Sequence, residues 1–116
     1  MDPTEDFSYQ LSRDGDRTTV RLAGELDMAS APALSECLHR LRSNCVPIVV
    51  VDAQDLDFCD SSGLDVFVAF SREAREHGSH LVLHAPSPAL RRLLELTGTT
   101  ELFDVEHDAR RLRLTW

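Results

Sequence analysis

Leu56-Asp57-Phe58-Cys59-Asp60-Ser61-Ser62-Gly63-Leu64 is the stretch from which the rest of the chain can be read. An apolar run, Val46 to Val51, leads towards it, and a helix-forming run, Leu64 to Ala74, leads away. Asp60, Ser61 and Ser62 are residues of the kind that cap helix N-termini, and Gly63 is small. The free backbone N–H groups of a helix start form a local anion site. A serine hydroxyl presented there is a place for a phosphate, although the plainer reading of a Ser-Ser-Gly turn is a cap alone.

On the N-terminal side, Phe7, Tyr9 and Leu11 alternate with polar residues, as do Thr18, Val20 and Leu22. With Asp14-Gly15 between them they predict a hairpin, roughly 6–12 and 17–23, with a somewhat long turn. Gly24-Glu25-Leu26-Asp27 reads as a loop opening towards a helix. Ser30 is a cap and Pro32 sits near the first turn, so Leu34, Leu38, Leu41 and Cys45 predict an amphipathic helix over 31–44, ended by Pro47. Ile48 to Val51 is β-branched without alternation, which predicts a central strand covered on both faces. Residues 52–57 read as a polar connection with Leu56 and Phe58 as anchors.

Beyond the opening stretch, a helix is predicted over 62–77, with Gly78 as its stop and its first half largely buried. Leu81-Val82-Leu83 is a short strand. Ser87-Pro88 starts a third helix with Leu90, Leu93, Leu94 and Thr97 facing inward and Gly98 ending it. Leu102 to Val105 is a last strand, and a C-terminal helix is expected at about 108–115. Strands alternating with helices after a hairpin predict one α/β domain over 1–116, core about 5–106, built on a mixed sheet of four to five strands.

The chain has 116 residues and a net charge of −8. That charge opposes phosphate backbones and anionic lipid, so neither nucleic acid nor a membrane surface is expected as a partner, whereas a protein with a basic patch is. No run reaches the roughly 18 apolar residues of a membrane span. The acidic start, Met1 to Asp6, carries no signal sequence, and a cytoplasmic location is expected. Cys37, Cys45 and Cys59 show no C-x-x-C spacing, so they read as thiols rather than as a disulfide or zinc framework.

All twelve basic residues are arginine, which excludes the lysine of a phosphate-binding loop, a pyridoxal Schiff base or a kinase ATP site. A receiver domain with Asp52 as its phosphoacceptor would also want a lysine and an acidic pair. A serine hydrolase would need a glycine two before its nucleophile, and neither Ser61 nor Ser62 has one. His80 and His84 on one strand lie about 13 Å apart, too far to share a zinc alone. Asp52, Asp55, Asp57 and Asp60 fail the calcium-loop spacing. No metal, no cofactor and no catalytic residue is expected.

At Asp60-Ser61-Ser62-Gly63-Leu64 the chain resembles the STAS family, and within it the bacterial anti-sigma factor antagonists. Gly24-Glu25-Leu26-Asp27, Ser87-Pro88, Arg92-Leu93-Leu94-Glu95-Leu96-Thr97-Gly98 and Leu102-Phe103 match the family's pattern in order, over roughly residues 18–106. The resemblance implies partner switching. The unmodified antagonist binds an anti-sigma factor, commonly a serine kinase, and releases the sigma factor. Phosphorylation dismisses the antagonist, and a phosphatase reverses this.

Carried over, the phosphoacceptor is Ser61. Asp27 is the loop aspartate near it, Asp60 and Ser62 shape the turn, and Met28, Gly63, Leu64 and Asp65 complete the expected partner-binding set. Asp65 stands where relatives often carry something small and uncharged. A monomer or weak dimer is expected. A STAS subunit that scaffolds a signalling or lipid-transport assembly without phosphorylation is the alternative the family allows.

Overall fold

The computed structural model describes residues 6–106; the C-terminal helix expected at 108–115 lies outside them. Strand β1 (Phe7–Asp14) and strand β2 (Arg17–Leu26) form the hairpin. Asp14 pairs with Arg17, so the turn has only Gly15 and Asp16 at its tip, shorter than expected, and Gly15 takes a positive φ of 60°. Helix α1 (Ala31–Ser43), strand β3 (Ile48–Cys59), helix α2 (Ser61–Glu76), strand β4 (His80–His84), helix α3 (Pro88–Thr97), a 3-10 turn (Thr100–Leu102) and strand β5 (Asp104–Glu106) follow.

The five strands lie in sequence order, β1 antiparallel to β2 and the others parallel, which is the mixed α/β sheet anticipated. Parallel neighbours joined in sequence order by right-handed crossovers place every connecting helix on one face. The core shows this. Val20, Leu22, Val49, Val51, Ala53, Leu81 and Leu83 from the sheet meet Leu34 and Leu38 of α1, Phe67 and Phe70 of α2, and Leu90 and Leu94 of α3.

The opposite face differs from expectation. No helix among the described residues covers β3 there. Val50 is nonetheless buried, in a concavity that it shares with Arg17, Thr19, Asp52, His84 and Glu106.

The largest correction concerns residues 52–57. They are not a connection but the continuation of β3, which runs to Cys59 beside β2. Two register shifts, between Arg21 and Ala23 and between Gly24 and Glu25, each give β3 one extra residue. Bulges of this kind rotate the side chains that follow, so Ala53, Leu56 and Cys59 point inward at intervals of three rather than two. Gly24-Glu25-Leu26 is likewise strand, not loop. At Gly24, φ is 95°, and a Cβ there would stand 1.9 Å from the carbonyl oxygen of Asp6. Only glycine fits where β1 and β2 approach so closely.

Smaller differences follow from local geometry. Helix α1 ends before Pro47, with Asn44 as C-cap and Cys45 at a positive φ of 58°; Cys37, not Cys45, completes the buried stripe. Helix α2 buries Gly63, Leu64, Phe67, Phe70, Ser71 and Ala74 along its whole length, not its first half alone. In α3, Leu90 and Leu94 are buried whereas Thr97 is exposed, its hydroxyl donating to the Leu93 carbonyl at 2.8 Å. Leu102 belongs to the 3-10 turn and not to β5.

Candidate functional site

The site is built where β2 and β3 end together. Leu26 pairs with Cys59, the last residue of each strand. Loops leaving the carboxyl ends of parallel strands converge on one rim of a sheet, the usual place for a ligand in open α/β folds. One loop here is Asp27 to Ser30 and the other is the turn at Asp60. The two are tied by the backbone N–H of Asp60, which donates to the Leu26 carbonyl at 3.1 Å.

Asp60 caps α2. Its Oδ1 accepts from the N–H groups of Ser62 at 2.9 Å and Gly63 at 3.3 Å, and its carbonyl accepts from Leu64 N–H at 3.1 Å. The helix start anticipated as an open anion site is therefore occupied by the protein's own carboxylate. Ser61 is the first residue of the helix and is exposed, while Ser62 is half-buried. Among the described residues no side chain hydrogen-bonds the Ser61 hydroxyl, and no histidine lies in either loop.

Gly63 and Leu64 were expected among the partner-contacting residues. Both are buried in the packing of the turn. A Cβ on Gly63 would lie 2.6 Å from Leu26 Cγ and 3.0 Å from Cys59 Sγ. The glycine is the gap through which α2 comes down onto the strand ends. Burial pushes the Cys59 thiol up to about 12, with the charge of Asp60 acting in the same direction.

Asp27 organises the other loop. Its Oδ1 accepts from the N–H groups of Ala29 at 3.0 Å and Ser30 at 3.1 Å, and its carbonyl accepts from Ala31 N–H at 2.8 Å. Ser30 is not the side-chain cap that was anticipated. Its hydroxyl accepts from the Asp27 N–H at 2.9 Å and reaches the Glu25 carbonyl at 2.9 Å. Both loops are thus preset by Asx-type bonds.

Ser61 is flanked on its own turn and helix by Asp60 and Asp65, and Glu25 and Asp27 line the neighbouring loop together. Asp65 is exposed one turn along α2. Two apolar side chains stand out of the same rim: Met28, as anticipated, at 76 % exposure, and Phe58, read as an anchor from the sequence, at 45 %. The bulges turn Phe58 outward, and no local pattern in the sequence signals it.

The rim thus brings together an exposed serine on a capped helix, a second fixed aspartate loop and, beside that loop, an open concavity of about 290 Å³ lined by Phe7, Tyr9, Glu25, Asp27, Ser30 and Ala33. The chain belongs to the STAS domain family: a family model described as "Mlab, STAS domain" matches residues 9–104. It is 33% identical over 95 residues to the anti-sigma-B factor antagonist of Listeria monocytogenes, covering 82% of this chain and 83% of that one. It is 35% identical over 86 residues to the anti-sigma-B factor antagonist of Bacillus subtilis, covering 74% of this chain and 78% of that one. Among solved structures it is similar to an anti-sigma factor antagonist from Mycobacterium paratuberculosis, with a TM-score of 0.79, 25% identity and coverage of 90% and 89%.

Proposed function

We propose that this protein is an anti-sigma factor antagonist that binds an anti-sigma factor of the serine-kinase type and is dismissed when that kinase phosphorylates Ser61. The observation that carries the reading is the exposure of Ser61 at the first position of α2, on a turn already locked by Asp60. A serine hydroxyl is a poor nucleophile without a base; on this reading the kinase supplies the base, and the chain takes the part of substrate and binder.

Phosphorylation adds about −1.5 to −2 charges. Because Asp60 already holds the N–H groups of Ser62 and Gly63, the phosphate does not find these two donors free and projects from the rim. The helix dipole favours the charge while Asp60 and Asp65 oppose it, so the fold changes little. The effect falls on the partner. A facing carboxylate at about 4 Å costs roughly 1–4 kcal/mol per unit charge, and each 1.4 kcal/mol is about tenfold in affinity. Asp27, Met28, Ser62 and Asp65 supply the remaining contacts, and a phosphatase restores the binding form.

The test is to incubate the protein with ATP and the serine-kinase anti-sigma factor of its own host, and to map modified peptides by mass spectrometry. Phosphate on Ser61, with Ser61→Ala retaining binding and Ser61→Asp losing it, is the expected result. An active kinase that leaves Ser61 unmodified overturns the reading. Equal binding of the two variants favours the scaffold reading, a STAS subunit of a signalling or lipid-transport assembly.

A further inference from the structure

Helix α2 has an exposed stripe besides its buried one. At 3.6 residues per turn, Asp65, Val68, Arg72 and Arg75 all lie within about 40° of Ser61 around the helix axis. The stripe begins acidic and ends basic. Its basic end borders an open groove of about 230 Å³ lined by Val68, Ser71, Arg72, Arg75, Glu76 and Leu102. The 3-10 turn forms the far wall: the Leu102 carbonyl accepts from Ser71 Oγ at 3.4 Å, while the Leu102 side chain is left 43 % exposed.

Most charges of this face are unmatched. Among the described residues neither Arg72 nor Arg75 has a carboxylate within ion-pair distance, as is also true of Arg13, Arg91 and Arg92, and Arg75 Nη2 donates to the Leu102 carbonyl at 3.5 Å in the groove wall. Arg72 and Arg75 stand beside exposed Leu102 and half-buried Val68, and with Glu76 the groove lining carries two guanidinium groups to one carboxylate. Arginine is the side chain suited to forked carboxylate recognition, and an apolar floor between two such forks supplies an anchor point.

We infer that the groove between α2 and the 3-10 turn docks an acidic segment of a protein partner, with an aliphatic side chain on Val68 and Leu102 and carboxylates on Arg72 and Arg75. Arg72 lies about 16 Å along the helix from Ser61. Beyond one Debye length, about 8 Å at physiological salt, a charge added at Ser61 is largely screened there. The groove therefore holds its ligand whatever the state of Ser61, and its chemistry does not rest on the phosphorylation reading.

The probe is a short acetylated and amidated peptide of alternating Glu and Leu, followed by amide shifts in heteronuclear NMR. Peptides with Gln or Lys in place of Glu serve as controls. The expected result is saturable shifts confined to 68–76 and 100–103. The affinity should be at least about fivefold weaker for the Gln peptide, weaker at high salt, and unchanged in Ser61→Asp. Arg72→Glu with Arg75→Glu removes binding; if the double reversal lowers Tm, Arg72→Gln alone gives the reduced affinity. Absent shifts, shifts centred on the Asp27 and Asp60 loops, or equal affinity for the Glu and Gln peptides overturns the assignment.

Discussion

The backbone N–H of Asp60 donates to the carbonyl of Leu26 at 3.1 Å, so the turn that carries Ser61 and the loop that carries Asp27 are held by one main-chain bond. Leu26 and Cys59 are register partners at the ends of β2 and β3, and the bond continues the sheet one step past its last pair. The position of Ser61 relative to Asp27 is thus set by the sheet and not by loop flexibility. Anything that moves Leu26 moves both loops.

Gly63→Ala does this. Alanine gains up to about 1 kcal/mol of helix propensity over glycine, but its Cβ would meet Leu26 Cγ at 2.6 Å and Cys59 Sγ at 3.0 Å. Leu26 is fully buried, so it cannot turn out into solvent to make room. Overpacking of this sort costs about 1–3 kcal/mol, so net destabilisation is expected. Thermal unfolding reads the stability, and NMR shifts at Asp27 and Asp60 read the displacement. An unchanged Tm with unchanged shifts would contradict the packing described.

Asp27 separates charge from structure. Its Oδ1 accepts the N–H groups of Ala29 and Ser30, and asparagine retains that acceptor. Asp27→Asn should hold stability within about 0.5 kcal/mol, the range of a tolerated surface change. Asp27→Ala should lose about 1 kcal/mol or more, as capping residues do. If Asn weakens partner binding as much as Ala does, the charge of Asp27 contacts the partner; if only Ala weakens it, the loop's shape is what matters.

The sequence made most of this site legible and less of the sheet. Asp60, Gly63 and Gly98 announced themselves because caps and close turns need particular residue types in a row. Asp52 to Asp57 did not. Two bulges change the inward spacing of β3 from two to three, and acidic residues at 55 and 57 then sit on exposed strand positions that look like loop. The same bulges expose Phe58. Pairings such as Arg17 with Glu106 at 3.1 Å span 89 positions and leave no local mark. With all three helices on one face, the second helical layer that the β-branched run predicted is missing among the described residues, and Val50 is buried instead among Arg17, Thr19, Asp52, His84 and Glu106.

Thiol chemistry follows burial. Cys37 and Cys59 are buried and Cys45 is exposed just past the end of α1. Burial raises the Cys37 thiol, partly opposed by the Tyr9 hydroxyl and Arg40, and it raises Cys59 to about 12. The thiolate is the reactive form. With a thiol reagent at pH 8 the folded protein should label at Cys45 alone, and at all three cysteines in denaturant. Fast labelling of Cys59 in the folded state would mean that the α2 start opens more readily than its packing on Leu26 allows.

Glu106 ties the last described strand to the open face. Its Oε2 accepts from Arg17 at 3.1 Å and its Oε1 lies 2.9 Å from His84 Nδ1. Partial burial pushes its carboxyl up, but the hydrogen bonds from Arg17 and His84 and their charges outweigh that and leave it below the usual value of 4.5. A carboxyl with a depressed folded-state pKa contributes stability that is present above the unfolded value and lost as pH falls through the folded one. The side chain is 39 % exposed, so solvent screening keeps the contribution small. Wild type should therefore exceed Glu106→Gln in stability at pH 6, and the gap should close as the pH falls below about 4.5. Urea unfolding of both proteins from pH 6 to pH 3 measures it; a gap that stays constant or widens in acid would show that the Arg17–Glu106–His84 cluster does not couple β5 to the sheet.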